Sequence, residues 1–238
     1  MIFRQFIHEE QSCLSYMVGC TTKSTVAVID PQVDVELYTE TAKRHNLSID
    51  IVIDTHTHAD HLSGARKLAK SAGAKLLMHQ TSKVKDLGQK VSDGDEFYVG
   101  NRHFQVISTP GHTDDGITLY VDNWYLLTGD TLFVGDVGRV DLALGQLEES
   151  KIATNASKLY ASIRKLLKLP EWTEIYPGHF AGSACGKGMS GKMISTLGRE
   201  KKKNPALSMA KAEFIKYVTS NQPEMPIDYK KTKLANIG

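Results

Sequence analysis

The sequence feature that most constrains the fold is a cluster of metal-ligand side chains directly after a buried strand. Residues 50–54 are DIVID, and their Ile and Val content between polar ends predicts a buried strand. The next segment, THTHADH (55–61), places three imidazoles and one carboxylate within six positions, namely His56, His58, Asp60 and His61. Neutral imidazole and carboxylate suit Zn, Fe or Mn. This density indicates a metal site rather than a solvated polar loop.

Three further predicted strands end in a similar way, each next to a glycine that lets the backbone approach a crowded site. The side chains that follow them are His112 after 103–108, Asp130 after 123–128 and His179 after 173–177. Considered singly, His112 or His179 would be interpreted as an ordinary histidine of the core, with its hydrogen bonds satisfied, or of the surface. Ligands at several strand ends are what a site at one edge of a sheet needs, so the four segments together predict one metal centre.

The remaining hydrophobic pattern interleaves strands with helices. Short apolar runs predict strands over 12–19, 25–30, 75–79 and 117–121. Apolar residues at every third or fourth position predict a helix over 147–169, and further helices are predicted over 34–46, 63–72, 189–202 and 208–219. This alternation predicts an α/β protein whose sheets are covered by helices. No low-complexity linker or internal repeat divides the chain, so we predict a single domain over 1–238.

Composition excludes several classes of protein. The 238 residues carry 29 Lys and Arg against 27 Asp and Glu, and the net charge of +2 favours no nucleic-acid partner. No stretch approaches the roughly 18 apolar residues of a membrane helix, and Glu9 and Glu10 stand where a signal peptide would be apolar. Cys13, Cys20 and Cys185 are too few for a disulfide framework. We therefore predict a cytoplasmic protein without a membrane partner, in which Cys13 and Cys20 are packing residues.

The order and spacing of four motifs resemble the metallo-β-lactamase superfamily. The motifs are HTHADH (56–61), TPGHT (109–113), GDTLF (129–133) and YPGH (176–179). The resemblance implies a four-layer αββα sandwich with the metal site at one edge of the sheets. A longer segment, GDTLFVGDVGRVDL (129–142), is similar to the persulfide dioxygenase branch. GHFAGSACGKGMS (178–190) looks like the metallo-β-lactamase half of bacterial persulfide dioxygenase–rhodanese fusions.

The resemblance leaves two uses of the same side chains open. In a dinuclear hydrolase all seven would bind metal: one ion at His56, His58 and His112, the other at Asp60, His61 and His179, with Asp130 as the bridge. The persulfide dioxygenase branch implies one Fe(II) per chain instead, held by the catalytic residues His56, His112 and Asp130. The other four side chains would then orient the ligands and waters. Segment 129–142 favours the iron interpretation.

The branch implies a mononuclear non-haem Fe(II) persulfide dioxygenase. Such an enzyme would oxidise a small thiol persulfide, with glutathione persulfide as the first choice, by O2 and water to sulfite and the thiol. The alternative is a glyoxalase II-type thioester hydrolase (hydroxyacylglutathione hydrolase) with two Zn per chain, although the long helical C-terminal extension typical of such enzymes is not seen. A third hypothesis is a sulfur-carrier or persulfide-sensing module, which would need only Cys185.

Two expectations concern partners. The segment after Cys185 lacks a rhodanese-type Cys-x5-Arg loop, since Gly191 stands at the arginine position. We therefore expect no rhodanese domain within 1–238, and any sulfurtransferase of that type would be a separate protein. Homodimers are common in the branch, but no interface signature marks one in this sequence.

Three polar side chains near the motifs are further candidates. Arg139 and Asp141 match the charged positions of the branch's GRxD element, which implies that they support the metal ligands. The alternative for them is a purely structural ion pair beneath the metal-binding segment. Thr113 is expected to orient His112 or a bound water.

The glycine-rich loop after His179 supplies the last candidates for substrate binding. Cys185 is expected to line the substrate pocket or carry a sulfane sulfur, with a small buried cysteine as the alternative. Residues 186–192 fit the frame of a phosphate-binding loop, but Met193 stands where Ser or Thr should reach magnesium. Lys187 and the backbone amides of this loop are expected to bind the anionic groups of a thiol substrate.

Overall fold

The first part of the chain forms a mixed six-stranded sheet. The computed structural model describes residues 1–142 and 149–238. The strands of this sheet follow one another in space as in sequence: β1 (Ile2–His8), β2 (Cys13–Cys20), β3 (Thr25–Ile29), β4 (Ser48–Ile53), β5 (Lys75–His79) and β6 (Gln89–Val91). β1, β2 and β3 are antiparallel neighbours, whereas β3 to β6 are parallel. The parallel strands therefore end at one common edge.

A second six-stranded sheet faces the first. Its strands are β7 (Glu96–Val99), β8 (Arg102–Ser108), β9 (Ile117–Val121), β10 (Tyr125–Gly129), β11 (Glu174–Pro177) and β12 (Ser195–Thr196). They lie in the order β12-β11-β10-β9-β8-β7. β9 runs antiparallel to both β8 and β10, and β11 runs parallel to β10. The C-terminal ends of β8, β10 and β11 consequently meet at the same edge.

Seven α-helices and one short 3-10 helix are described in the same residues, and four of the α-helices cover the outer faces of the two sheets. The helices are α1 (Glu36–Arg44), α2 (Ala65–Ala72), α3 (Glu149–Leu166), α4 (Leu197–Lys203), α5 (Pro205–Ser208), α6 (Lys211–Thr219) and α7 (Tyr229–Ile237). None of those described is long and apolar enough to cross a membrane.

Alternation along the strands separates three apolar layers. On β3, Val28 packs with Tyr38 of α1 and Leu68 of α2, whereas its neighbour Ile29 faces the second sheet. On β10, Leu127 joins the layer between the sheets, whereas Leu126 packs under α3 and α6. Successive strand residues point to opposite faces, so each sheet contributes to two layers. The result is the four-layer α/β/β/α sandwich, which confirms the predicted fold class.

Most predicted elements are confirmed, with displaced ends. β5 and β9 have the predicted bounds. α3 covers 149–166 of the predicted helix 147–169, of which positions 147 and 148 lie outside the described residues, and it ends three residues before the predicted end. The predicted helix 189–202 is wrong in its first half. Thr196 caps α4 by accepting from the Arg199 N–H, so the helix begins at Leu197. The sequence pattern predicts neither β6 and β7 nor α7.

Candidate metal centre

Strand ends from both sheets bring the predicted ligand residues together. β4 leads into residues 55–63, here named the metal loop, and the ends of β8, β10 and β11 lead to His112, Asp130 and His179. Glycines allow the close approach: Gly129 has φ of +48°, and a Cβ on Gly178 would lie 2.6 Å from Asp130 Oδ1. The predicted gathering of these segments at one edge is therefore observed.

His56, His112 and Asp130 form the innermost group. Their side-chain ligand atoms all lie within 4.8 Å of one another. His112 Nε2 is 3.4 Å and His56 Nε2 is 3.9 Å from Asp130 Oδ2. Among the described residues, His56 Nε2 and Asp130 Oδ2 are buried without a hydrogen-bond partner. Donors about 2.1 Å from a shared metal lie roughly 3–4 Å apart, so this group fits a single ion.

Hydrogen bonds on the far side of each ring direct these three donors inward. His112 Nδ1 donates to the backbone oxygen of Arg139 over 2.8 Å, and a carbonyl can only accept, so Nε2 keeps its lone pair. His56 Nδ1 lies 3.0 Å from Thr55 Oγ1, whose own proton goes to Asp30 Oδ2. Burial disfavours the charged rings and lowers the pKa of both His56 and His112. Both histidines are therefore neutral, as metal ligands must be.

Asp60, His61, His179 and Cys13 form a second group. Asp60 Oδ2 lies 2.9 Å from both His61 Nδ1 and His179 Nε2, while His179 Nδ1 donates to Asp130 Oδ1 over 2.8 Å. Burial would lower the pKa of His61, but Asp60 outweighs it and raises that pKa to about 9. Burial likewise opposes the charged form of His179, whose pKa is nevertheless held well above its usual value by Asp130, Cys13 and Asp60.

His58 belongs to neither group. Its Nε2 lies 3.3 Å from Asp30 Oδ1 and 3.7 Å from Asp54 Oδ1, and all three side chains are buried. The ring centroid of His58 is 4.3 Å from that of His56, so the dinuclear assignment, in which His58 shares an ion with His56 and His112, stays a prediction. Two carboxylates, at the ends of β3 and β4, therefore face an imidazole that still lies beside the rings of His56 and His61. Asp30 is a buried neighbour of His58 and Thr55 that the sequence pattern does not identify.

Arg139 and Asp141 form an ion pair, as in the purely structural alternative to a role in supporting the metal ligands. The Arg139 guanidinium is buried and holds Asp141 with two hydrogen bonds, Nε to Oδ1 at 2.7 Å and Nη2 to Oδ2 at 3.0 Å. Its Nη1 donates to the backbone oxygens of Ala184 and Glu224. The Arg139 side chain therefore ties the neighbouring loops together, and only its backbone oxygen contacts a ligand residue, His112.

Lys187 and its loop do not face an anionic substrate, contrary to expectation. Lys187 Nζ donates to the backbone oxygens of Tyr217 and Ser220 and lies 3.9 Å from the Tyr217 ring centroid. The backbone N–H groups of Lys187 and Gly188 both donate to Asp136 Oδ2 over 2.7 Å. The loop does bind an anion through its amides, but that anion is the carboxylate of Asp136.

The last two candidates, Cys185 and Thr113, are both buried and differ in whether they line a cavity. Cys185 is fully buried beside Asp130 and His179 and does not line the cavity described next, and burial raises the pKa of its thiol well above the usual value. The Thr113 hydroxyl has no partner among the described residues, so it does not orient His112 as expected. Thr113 does line the cavity next to His112.

A cavity of about 450 Å³ opens onto His112. Thr57 and Thr113 line its inner part, and four lysines stand around it: Lys83, Lys151, Lys158 and Lys233. Lys158 pairs with Asp114 at 2.6 Å, and Lys233 donates to the backbone oxygen of Leu142. Lys83 and Lys151 are exposed and have no ion pair among the described residues. The cavity therefore presents uncompensated positive charge beside the metal-type ligands.

Helix α7 packs against the metal loop and also lines the cavity through Lys233 and Ile237, which the sequence does not predict. Asn236 donates from Nδ2 to the backbone oxygens of His58 and His61, and its Oδ1 accepts from the Ser63 N–H. The side chain is buried, and no motif in the sequence marks it. Cys13, likewise treated as a packing residue, lies against the metal loop because its strand forms a bridge with His179.

Comparison with known proteins agrees with this geometry. Residues 9–179 match the model of the metallo-beta-lactamase superfamily. The structure is similar to a metallo-beta-lactamase from Staphylococcus aureus subsp. aureus COL, with 33% identity and a TM-score of 0.92 over 99% of this chain and 72% of that one. It is also similar to ETHE1 from Myxococcus xanthus, with 32% identity and a TM-score of 0.87 over 99% of this chain and 98% of that one.

Curated relatives include glutathione thioester hydrolases. The hydroxyacylglutathione hydrolase of Idiomarina loihiensis is 31% identical over 164 residues, which are 69% of this chain and 60% of the hydrolase. The chain spans between 50% and 65% of the length of the curated relatives that it matches first. The family segment 9–179 contains all seven of the predicted ligand residues. With its sandwich fold and its His/Asp centre at the strand ends, this chain belongs to the metallo-beta-lactamase superfamily.

Proposed function

We propose that this protein is a persulfide dioxygenase with one Fe(II) bound by His56, His112 and Asp130. The observation that carries the proposal is the convergence of two neutral imidazole nitrogens and one carboxylate oxygen, whose ligand atoms all lie within 4.8 Å of one another. Two imidazoles and one carboxylate on one face of an iron leave three positions open, which is the arrangement of non-haem iron oxygenases. His58, Asp60, His61 and His179 act as neighbours that fix the ligand orientations.

Similarity along the chain supports the same choice. Segment 129–142 resembles the persulfide dioxygenase branch and contains both Asp130 and the Arg139–Asp141 ion pair. The likeness to ETHE1 of Myxococcus xanthus extends over 98% of that protein, whereas the chain spans only 60% of the Idiomarina loihiensis hydrolase. A match over the whole length of a relative supports a shared function better than a match over part of it.

The cavity supports an anionic thiol persulfide as the substrate. Its volume of about 450 Å³ suits a molecule of glutathione size, and Lys83 and Lys151 offer unpaired cations to carboxylates. His112 lines the cavity, so the terminal sulfur of such a molecule would reach the centre from this side. Glutathione persulfide, which has two carboxylates and one terminal sulfur, is the proposed substrate.

The proposed reaction consumes one persulfide, one O2 and one water and yields sulfite, the thiol and two protons. Iron, when bound, supplies the redox chemistry by which O2 oxidises the terminal sulfur. The Arg139 backbone oxygen and Thr55 hold the His112 and His56 rings in the tautomers that metal binding requires. The unpaired Thr113 hydroxyl beside His112 is available to hold the attacking water or the substrate.

A glyoxalase II-type thioester hydrolase with two Zn per chain is the second candidate. The curated relatives favour it, since several are hydroxyacylglutathione hydrolases, and Asp60, His61 and His179 stand together beside Asp130. Against it stands the position of the His58 ligand nitrogen, which is grouped with the carboxylates of Asp30 and Asp54 and not with the ligand atoms of His56 and His112.

Oxygen consumption by anaerobically iron-loaded protein given glutathione persulfide tests the proposal, with sulfite assayed in the same vessel. We expect stoichiometric loss of O2 and gain of sulfite. A zinc-loaded sample given a glutathione thioester is the matched arm. Thioester hydrolysis there, with no O2 uptake by the iron form on glutathione, coenzyme A or inorganic persulfides, would replace the dioxygenase by the hydrolase.

Three further expectations belong to this proposal. Residues 1–238 act as a single domain without a rhodanese unit, so sulfane sulfur would be delivered by a separate rhodanese-type sulfurtransferase. The reducing cytosol is the proposed location, because three cysteines cannot form a disulfide framework. A homodimer is the proposed assembly, and light scattering of the purified protein measures it directly.

A further inference from the structure

The second group of the candidate metal centre includes a cysteine that no sequence motif marks. The ligand atoms of Cys13, Asp60, His61 and His179 all lie within 4.8 Å of one another. Cys13 Sγ is 3.1 Å from His179 Nε2, 3.6 Å from Asp60 Oδ2 and 3.7 Å from His61 Nδ1. Asp60 Oδ2 is 2.9 Å from both imidazole nitrogens. Donors that share one tetrahedral ion lie roughly 3–4 Å apart, so these four are spaced as a ligand set.

The orientation of the rings agrees with the spacing. His179 Nδ1 donates to Asp130 Oδ1 over 2.8 Å, which turns the Nε2 of this ring towards Asp60 and Cys13. A carboxylate behind the ring is the usual support of a metal-binding histidine. His61 Nε2 is buried and has no hydrogen-bond partner among the described residues. Hydrogen bonds within the second group therefore do not satisfy all of its polar atoms.

The backbone holds the sulfur in this position. Cys13 is the first residue of β2 and forms a bridge with His179, and the Leu14 N–H donates to the Gly178 oxygen over 2.7 Å. The cysteine is buried and free, and its other polar contact is the backbone oxygen of Gln11 at 3.4 Å. The sulfur is thus presented to the two imidazoles and the carboxylate by the fold itself.

We infer that the second group is a metal site of its own, separate from the proposed iron site, in which the Cys13 thiolate is the fourth ligand of a Zn(II) ion. One sulfur, two nitrogens and one oxygen complete a tetrahedron, the geometry of structural zinc sites. A thiolate favours zinc over Fe(II). The dinuclear hydrolase assignment differs, because its second ion has no sulfur ligand and is bridged by Asp130. Zinc takes the place of the protons that the four donors share.

This inference goes beyond the proposed function and does not depend on it. The innermost group uses Asp130 Oδ2, whereas His179 contacts Asp130 Oδ1, so the two sites share no donor atom. An ion bound to His179 Nε2 leaves Nδ1 of the same ring donating to Asp130. The zinc ion would therefore fix the orientation of a proposed iron ligand through His179.

The absorption spectrum of the Co(II) form of the whole chain tests the inference without reference to turnover. Co(II) replaces zinc in such sites, and a cobalt–thiolate bond has a charge-transfer band in the near ultraviolet. Metal-free protein is titrated anaerobically with two equivalents of Co(II). We expect the band in the unsubstituted protein and its loss in Cys13→Ser, with folding checked by circular dichroism. Cys20→Ser, at the other end of β2, and Cys185→Ser, beside Asp130 and His179, are the controls and should keep the band.

The outcomes separate the inference from the proposed function. No thiolate band in the unsubstituted protein would overturn the inference, even if Cys13→Ser does not fold. A band that persists in folded Cys13→Ser, or that vanishes in Cys185→Ser, would also overturn it. A thiolate band that depends on Cys13, in a protein whose iron form takes up no O2 with any persulfide, would overturn the dioxygenase and leave the zinc site standing. Persulfide-dependent O2 uptake without the band would do the reverse.

Discussion

Asn236 and His61 are 175 residues apart in the chain, yet the side-chain amide of Asn236 donates to the backbone oxygen of His61 over 2.9 Å. The same amide reaches the His58 oxygen, and its carbonyl accepts from the Ser63 N–H. One buried side chain thus satisfies three backbone groups of the metal loop. The shape of this loop, and with it the direction of His56 and Asp60, depends on helix α7.

Asn236→Ala is expected to destabilise the protein by about 3 kcal/mol, because three net hydrogen bonds are lost and backbone groups are left unpaired. Iron retention should fall as well, since the metal loop loses its support. Urea unfolding and metal analysis after desalting measure the two effects. Lys231→Ala, an exposed position on the same helix, is the control and should leave both values unchanged. Unaltered stability of Asn236→Ala would show that the loop holds its shape without the helix.

His112→Ala is expected to abolish iron retention and O2 uptake together, because one of three proposed ligands is removed. His103→Ala is a suitable control, since His103 lies on β8 upstream of His112 and pairs with Glu96 away from the centre. Bound iron and O2 consumption are measured on the same preparations. A His112→Ala protein that keeps its iron would remove His112 from the ligand set.

Arg139→Met is expected to cost about 3–5 kcal/mol in unfolding free energy, because Asp141 then lacks its buried partner. Arg139→Lys keeps the charge but not the two-pronged geometry, so its loss should be smaller. Turnover per bound iron should stay near that of the unsubstituted protein in the folded fraction of each variant, since the guanidinium does not contact the ligands. A specific loss of turnover at full stability would instead give the Arg139 side chain a catalytic role.

Lys151→Glu is expected to raise the KM for glutathione persulfide several-fold with little change in kcat, because the cavity loses one unpaired cation and gains an anion. The effect should weaken as salt is added, since the site is exposed and screened. Steady-state O2 uptake at two ionic strengths measures both. Lys202→Glu makes the same charge change on an exposed position of α4, and equal effects of the two variants would rule out a local role for Lys151.

His8 is expected to make the protein less stable in mild acid. Burial and the neighbouring His61 lower the pKa of His8 from 6.5 to about 4, so the native state binds fewer protons than the unfolded state between these values. The free energy of unfolding is therefore not reduced by His8 above pH 6.5, and it decreases as the pH falls from 6.5 towards 4. The loss at pH 5 is about 1 kcal/mol after allowance for solvent screening. Unfolding of His8→Gln at pH 7.5 and pH 5 should show a correspondingly smaller difference than the unsubstituted protein.

Strand ends explain why so much of the centre is predictable from sequence. His56, His112 and Asp130 each follow an apolar run. The residues around each of them are therefore enough to predict both the metal-binding side chain and its position at the end of a strand. Val and Ile alternation in the same runs predicts the sheets. The pairing of β8 and β10 with β9 then brings the ends of β8 and β10 together at one edge of the sheet.

Contacts between distant segments explain what the sequence does not predict. Nothing near Cys13 indicates its approach to His179, because a strand bridge between residues 166 positions apart creates it. Lys187 has the charge for an anionic ligand, but the carbonyl ends of α6 receive it instead. His58 has the spacing of a ligand, and only the fold reveals the carboxylates that hold it. In each case the sequence identifies the residue but does not identify the residue that it contacts.

The distance in sequence between the metal loop and Asn236 also has a consequence for the order of events during synthesis. Ribosomes add about 5–20 residues per second, so the 175 residues between His61 and Asn236 take roughly 10–35 s to follow. For that interval the nascent chain displays its histidines on a loop that has no support from α7. Once His112 and Asp130 have also been made, an ion that binds the three side chains before Asn236 follows would bind a loop whose shape is not yet fixed by α7.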